Sequence, residues 1–171
     1  MGKFKPFFDI DIDERYSPEE RKSIATEVID FVISRTESGL DKDNNGFAKY
    51  SKSYAKEKGQ TNVDLTFSGE MLSELSLLRE KSGSIRIGYD SEYDGMGKLE
   101  GNILSTYGND KPVTKPRNFL GITKKDLDNI LDSYDLNDKE SLDESVANEI
   151  AADIVATRIA KKSKVESDRD E

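Results

Sequence analysis

The chain has 171 residues, of which 34% are hydrophobic and 36% are charged, and its formal net charge of −9 argues against a protein that coats nucleic acid by neutralising phosphates. The absence of cysteine and histidine excludes disulfides, thiolate catalysis, zinc–sulfur sites and the usual near-neutral general base. No apolar run approaches the ~20 residues that a membrane span needs, and no signal-peptide pattern follows Met1, so we expect a protein made and kept in a cytoplasm.

The first predicted element is a strand, because apolar and acidic residues alternate from Phe8 to Asp13. The alternation places Phe8, Ile10 and Ile12 on one face and Asp9, Asp11 and Asp13 on the other. Three carboxylates on one face suit either a divalent metal, bound through oxygen, or the solvated side of an edge strand, where charge prevents edge-to-edge pairing. We favour the edge strand, since no other acidic pair in the sequence is aimed at these carboxylates.

A helix and a hairpin define the predicted fold class. Ser17, Pro18 and Glu20 supply an N-cap, a first-turn proline and a capping box, and Gly39 supplies the stop. Alternation on both sides of residues 81–83 predicts an antiparallel hairpin at about 75–89. Its core-facing residues are Leu75, Leu77, Ile85, Ile87 and Tyr89. We therefore predict an α+β fold in which a small antiparallel sheet packs with several helices.

Residues 41–46 match the opening of an EF-hand calcium loop, with oxygen-bearing side chains at positions one, three and five followed by Gly46. The match fails at position twelve, where Lys52 stands in place of the bidentate glutamate that calcium requires. Aspartate, asparagine and glycine also favour tight turns, because they tolerate left-handed backbone and bond to nearby backbone groups. We predict a turn here and not a calcium site.

Three further helices are predicted towards the carboxyl end. One has Leu99, Ile103, Leu104 and Tyr107 on a single face and ends at Gly108, and the next begins at Thr123. A long last helix opens near residue 137 and carries Leu142, Val146, Ile150 and Ile154 at fourfold spacing, as a helix held by its own domain or by another subunit would. We predict one domain over residues 1–160 and a disordered charged tail over 161–171.

The segment 111–117 predicts a stiff basic loop, because the residue before each of its two prolines is biased towards an extended conformation. The loop carries Lys111, Lys115 and Arg117 in a chain of negative net charge, and the apolar Phe119 follows. Arg117 is the expected anchor for an acidic patch on an adjacent subunit, since its planar fork holds a carboxylate with two hydrogen bonds. The alternative is a solvated loop in which Phe119 and Leu120 pack locally.

The order of several stretches resembles the tailed-bacteriophage virion morphogenesis family, which comprises neck, head–tail connector and tail-completion proteins. In such families the most telling stretch is a proline and an arginine before an aromatic residue, leucine and glycine, followed by a short helix. This chain has that stretch at residues 116–122, preceded in order by residues 47–58, 63–72, 85–88, 99–102 and 107–108. The resemblance covers roughly residues 17 to 134.

The resemblance implies a non-enzymatic structural protein of the virion, located in the neck, that forms a homo-oligomeric ring at the head–tail junction and is needed for joining head and tail. It implies that the neighbouring proteins are of the portal, adaptor and tail-terminator types, and that DNA passes through the ring without sequence-specific binding. It also implies that the protein has no membrane partner, no catalytic residue, no cofactor and no metal. The residues expected to form subunit and neck contacts are Lys111, Lys115, Arg117 and Phe119 in the loop and Leu142, Val146, Ile150 and Ile154 in the last helix.

Two other functional classes remain open. The first is a soluble adaptor or regulatory protein whose last helix docks in the groove of a partner. The second is a metal-dependent enzyme that uses Asp9, Asp11 and Asp13 with Lys115 or Arg117 on a phosphate, because two-metal chemistry needs only carboxylates as protein ligands.

Overall fold

The computed structural model describes residues 4–59, 63, 65, 70–112 and 115–134. These residues lie in the first of two units into which the chain divides, Met1–Tyr134 and Asp135–Glu171. Several sequence predictions lie outside the described residues. They are the last helix with its contact residues Leu142, Val146, Ile150 and Ile154, the domain boundary at residue 160 and the charged tail. No helix in the described part of the chain is long and apolar enough to cross a membrane.

The fold is of the α+β class, as the sequence predicts, with one antiparallel sheet in the order β1–β3–β2. The strands are β1 (Phe7–Asp11), β2 (Ser76–Lys81) and β3 (Ser84–Gly88), and the helices are α1 (Pro18–Glu37), α2 (Lys52–Lys58), α3 (Glu70–Ser73), α4 (Met96–Leu104) and α5 (Lys124–Leu131), with a 3-10 turn at Asp132–Tyr134. The predicted hairpin is therefore confirmed as β2 and β3, and the acidic strand β1 is confirmed at an edge of the sheet.

The core lies between the sheet and α1, which packs across β2 and β3. Ile24, Val28 and Val32 of α1 are fully buried, as are Ile85 and Ile87 of β3. Ile85 pairs with Ile10 of β1 in the register of the sheet, and Ile10 is also buried. The period of the helix and the alternation of the central strand therefore bring two apolar faces together.

The beginning of α1 follows the predicted capping box. The Ser17 hydroxyl accepts a hydrogen bond from the Glu20 backbone N–H at 3.2 Å, and the Glu20 carboxylate accepts one from the Ser17 backbone N–H at 2.8 Å. The helix ends before Gly39, which has a φ of +84° and donates its N–H to the carbonyl of Thr36. Both ends of α1 are thus fixed by the local signals that predict them.

One predicted core position differs. Leu77 is only half-buried, although alternation places it inside. The register between β2 and β3 shifts between Leu77 and Arg79, so two successive leucines, Leu77 and Leu78, are both half-buried. A bulge of this kind breaks the alternation of faces, and the sequence carries no glycine there to signal it.

A buried arginine joins α1 to two segments that have no regular structure. Arg35 is 5% exposed, and its Nη2 donates to the carbonyl oxygens of Phe119 at 2.7 Å and Gly121 at 3.0 Å. Its Nη1 donates to the carbonyl of Lys42 at 3.4 Å. Burial lowers the pKa of Arg35, and the carboxylates of Asp126, Asp41 and Asp43 oppose that shift. The guanidinium therefore holds the end of α1 against the loop after it and the segment before α5.

We expect Ile87→Ala to lower the free energy of unfolding by about 2 to 5 kcal/mol, because it removes a fully buried side chain and leaves a cavity. Leu77→Ala removes a half-buried side chain and should cost clearly less. Urea unfolding of both variants measures the difference. Equal costs for the two variants would contradict the placement of Leu77 at the bulge.

We expect Arg35→Lys to lower the free energy of unfolding by about 1 to 3 kcal/mol, since lysine keeps the charge but cannot reach three carbonyls with a planar fork. The matched control is Arg79→Lys, at an exposed arginine 3.8 Å from Asp9, which should change stability by less than about 0.5 kcal/mol. Thermal unfolding compares the two, and the same melting temperature for both variants would refute the role of Arg35.

Candidate functional site

The segment after α4 departs from its predicted course and forms one wall of a cleft. The helix ends at Leu104, because Ser105 takes a left-handed conformation with a φ of +59°. Tyr107 and Gly108 also have positive φ values, of +44° and +86°. The predicted helical end at Gly108 is therefore wrong by one turn, and Tyr107 is an exposed loop residue rather than part of the apolar helix face.

Gly101 makes room for the side chain of Tyr107. A Cβ at residue 101 would lie 2.8 Å from Cδ1 of the Tyr107 ring. The Tyr107 hydroxyl donates to Oδ1 of Asn102 at 3.1 Å, so the ring turns back over α4. A glycine within a helix costs stability relative to alanine, and here it permits a close approach that places the ring at the cleft.

The segment 115–121 forms the adjoining wall, and it is not the exposed loop end that the sequence suggests. Arg117 is 8% exposed, Phe119 is fully buried, and Leu120 is buried. The Arg117 backbone N–H donates to the carbonyl of Asn102 at 2.9 Å, which attaches this segment to α4. Arg117 and Phe119 are therefore not exposed side chains of the loop, and their role in subunit contacts stays a prediction. Lys111 and Lys115 are exposed, as predicted.

The Arg117 guanidinium points towards backbone and aromatic groups. Its Nη1 donates to the Tyr107 hydroxyl at 3.4 Å and its Nη2 to the carbonyl of Ala48 at 3.5 Å, both at the long limit for a hydrogen bond. Its Cζ lies 5.2 Å from the centre of the Tyr50 ring, within the range of a cation–π interaction. The Nε atom is buried and has no hydrogen-bond partner.

These walls enclose a cleft of about 510 Å³, which we call the cationic cleft. Its lining consists of three cations, three tyrosines, two apolar residues, a serine and an asparagine: Lys49, Lys98, Arg117, Tyr50, Tyr54, Tyr107, Leu65, Met71, Ser51 and Asn102. None of these lining residues is acidic. The lining of this cleft is therefore positively charged, whereas the chain as a whole has a net charge of −9.

The tyrosines of the cationic cleft form a connected group. The rings of Tyr50 and Tyr54 meet edge to face with their centres 4.8 Å apart. Lys58 donates to the Tyr50 hydroxyl at 3.1 Å, and its Nζ lies 4.9 Å from the centre of the same ring. Burial, followed by the nearby Tyr50, raises the pKa of Tyr54. Tyr50 therefore has cations on its ring from both α2 and the segment that contains Arg117.

A second cleft of about 630 Å³, which we call the acidic cleft, adjoins the first. It is lined by Glu70, Glu74, Glu92 and Asp94 with Tyr93 and Gly95, and it shares Met71 and Lys98 with the cationic cleft. Burial and the carboxylates of Glu74 and Glu70 raise the pKa of Tyr93, as an anionic environment should. Clefts of opposite charge thus lie side by side.

Two of the three carboxylates that the sequence places on one strand face, Asp9 and Asp13, are paired with arginines. Both oxygens of Asp9 accept from Arg86, at 2.7 and 2.8 Å, and this hydrogen bonding lowers the pKa of Asp9. Both oxygens of Asp13 accept from Arg15. Over the described ranges, no group of three acidic residues is placed to hold a metal ion. Arg117 lies in the cationic cleft, and none of Asp9, Asp11 and Asp13 lines that cleft.

The calcium-like sequence forms the predicted turn. Oδ1 of Asp41 accepts from the backbone N–H groups of Asp43 and Asn45, at 2.9 and 2.8 Å, so this carboxylate oxygen closes the turn. Asn44 takes a left-handed conformation with a φ of +63°, and its side chain donates to Asp126. Lys52, at position twelve of the calcium pattern, begins α2. The acidic and amide side chains here serve the backbone of the turn.

Sequence reasoning misses the cationic cleft, although part of its signal is present. Lysine and tyrosine recur between residues 49 and 58, which is unusual in so acidic a chain. The remaining lining comes from Leu65, α3, α4, Tyr107 and Arg117, which are spread over more than 50 residues of sequence. Comparison with protein-family models, curated proteins and solved structures gave no match for this chain.

We expect Gly101→Ala to displace the Tyr107 ring, because the added Cβ would come within 2.8 Å of it. The matched control is Gly97→Ala in the same helix, where the new Cβ would have no atom within 4 Å apart from its chain neighbours and the backbone of the helix. Gly97→Ala should raise the free energy of unfolding by about 0.5 to 1 kcal/mol, because alanine favours the helix more than glycine does. Gly101→Ala should raise it by less, because the displaced Tyr107 ring loses its hydrogen bond to Asn102. Crystal structures and urea unfolding measure both effects; an unmoved ring would contradict the packing.

Proposed function

We propose that this chain is a structural protein of a tailed-bacteriophage virion, and that it forms a homo-oligomeric ring in the neck at the head–tail junction. In this role it joins head and tail, contacts proteins of the portal, adaptor and tail-terminator types, and encircles DNA without reading its sequence. The proposal rests on the resemblance of residues 17–134 to the virion morphogenesis family and on features of the fold that give its most telling stretch a physical role.

The observation that carries the proposal is the stretch 116–121, in which Arg117, Phe119 and Gly121 each meet a specific requirement of the fold. Arg117 is buried against Tyr50, Phe119 is fully buried, and the carbonyls of Phe119 and Gly121 accept from Arg35. Gly121 has a φ of +144°, which other residues rarely adopt. Because packing requires these residues, their presence supports the proposal that this chain shares its fold with the virion morphogenesis family. The proposed function follows from that resemblance.

Surface features favour an interacting protein over an enzyme. The exposed large hydrophobic residues in the described ranges are Tyr54, Leu104 and Tyr107, and both tyrosines line the cationic cleft. Exposed aromatic residues beside charge of both signs are typical of surfaces that bind other proteins. Two of the three carboxylates of the alternative metal enzyme, Asp9 and Asp13, are engaged by arginines. The adaptor alternative depends on residues outside the described ranges.

The experiment is electron microscopy of particles from a phage that carries the gene, with antibodies against the purified chain. We expect labelling at the head–tail junction, and separate heads and tails when the gene is deleted. Lys111→Glu combined with Lys115→Glu should reduce the yield of joined particles without changing the melting temperature, because both lysines are exposed and lie on the predicted contact loop.

The matched control is Lys22→Glu combined with Lys125→Glu, which reverses two exposed charges outside that loop. It should leave the yield unchanged. Absence of the chain from purified tailed particles would refute the proposed function. Normal yield from the Lys111 and Lys115 variant would refute only the assignment of the loop.

A further inference from the structure

We propose that the cationic cleft binds an acidic peptide segment of a partner protein, and that one carboxylate of the segment pairs with the guanidinium of Arg117. This inference rests on the proposed structural role in one respect, which is that the partner is a neighbouring protein of the assembly. The binding itself is a property of the isolated chain, and it is argued from the lining of the cleft.

The first argument is the sign of the charge. Lys49, Lys98 and Arg117 converge on one cleft, and none of its described lining residues is acidic. The remainder of the chain outweighs these cations to give a net charge of −9. A concave site that concentrates one sign of charge attracts the opposite sign and selects against others. The complementary ligand is an anion.

The second argument is the incomplete bonding of Arg117. Its side chain is buried, its Nε has no partner, and its two terminal nitrogens make only long hydrogen bonds, at 3.4 and 3.5 Å. No ion pair within the described part of the chain includes Arg117. A buried donor without a partner is costly. A carboxylate bound in the cleft can replace the two long bonds and accept from both terminal nitrogens, in the bidentate geometry that arginine favours.

The third argument is the apolar character of the remaining wall. Tyr54 and Tyr107 are exposed at the cleft, while Leu65 and Met71 lie buried in its lining. Tyrosine provides a large contact area with little loss of side-chain freedom, and it is enriched where proteins bind one another. The volume of about 510 Å³ accommodates a few side chains. An acidic residue next to an apolar one therefore suits the site better than a small inorganic anion.

The acidic cleft favours a peptide over a nucleic acid. It shares Lys98 and Met71 with the cationic cleft and presents four carboxylates directly beside it. A nucleic acid carries a phosphate at every nucleotide, so a strand that extended past Lys98 would meet like charge. A short peptide can place one or two carboxylates in the cationic cleft and present neutral or basic residues to the acidic one.

The test is nuclear magnetic resonance of the full ¹⁵N-labelled chain, observing the Arg117 Nε–Hε signal. The probe is an acetylated, amidated peptide with the sequence Glu-Phe-Glu-Leu, and its twin has glutamine in place of both glutamates. We expect the glutamate peptide to shift the Arg117 signal in a saturable manner that salt weakens. The glutamine twin should bind at least about tenfold more weakly.

Matched variants separate the cleft from general charge. Lys49→Gln combined with Lys98→Gln removes two exposed cations of the cleft, and it should weaken peptide binding about tenfold. Lys111→Gln combined with Lys115→Gln removes two exposed cations outside the lining and should leave binding unchanged. None of the four lysines is buried, so each variant should fold.

Three results would overturn the proposal. Equal shifts with both peptides, or none with either, would mean that the cleft is not a carboxylate site. Tighter binding of a short single-stranded oligonucleotide would make the occupant a nucleic acid. Shifts that depend on protein concentration without peptide would make it a second copy. If the chain is found in the neck but the peptide does not bind, only this inference fails; if the peptide binds and particles lack the chain, the structural role fails.

Discussion

The arrangement of this molecule depends on one buried guanidinium, that of Arg35. The segments 41–46 and 118–121 lie outside helices and sheet strands, so their buried carbonyls need partners from elsewhere. Arg35 supplies three of those partners from the last turn of α1, and the Lys42 backbone N–H joins the two segments by donating to the carbonyl of Asn118. Arg117 lies two residues before Phe119, whose carbonyl accepts a hydrogen bond from Arg35. The bonds made by Arg35 therefore also help to fix the position of Arg117 in the cationic cleft.

Two of the buried arginines in the described part of the chain, Arg35 and Arg117, have contrasting surroundings. Arg35 donates to three carbonyls from its terminal nitrogens, at distances down to 2.7 Å. Arg117 makes only long hydrogen bonds, and its remaining contact is with the face of Tyr50. Both have an Nε without a partner, but of the two only Arg117 is among the residues that line the cationic and acidic clefts. The bonding around a charge, rather than its burial alone, distinguishes an arginine that maintains the fold from one that retains capacity for a ligand.

Local signals made much of the fold predictable. The capping residues of α1, the alternation of β1 and β3 and the turn at Asp41 each act over a few residues, and each is present as expected. The errors concern distant contacts. Arg117 is buried by Ala48, Tyr50 and Tyr107, which no pattern around residue 117 indicates. The end of α4 at a left-handed Ser105 was equally hidden, because serine is not the residue that usually marks such an end.

The sheet order also has a consequence for how the chain folds. β2 and β3 are joined by a tight turn, whereas Ile10 of β1 pairs with Ile85, 75 positions later, and α1 lies between them in sequence. Closing so long a loop costs more chain entropy than closing a hairpin, and non-local pairing slows folding. We therefore expect the hairpin to associate with α1 first. The strand β1 would then complete the sheet last, although it comes before the other described elements along the chain.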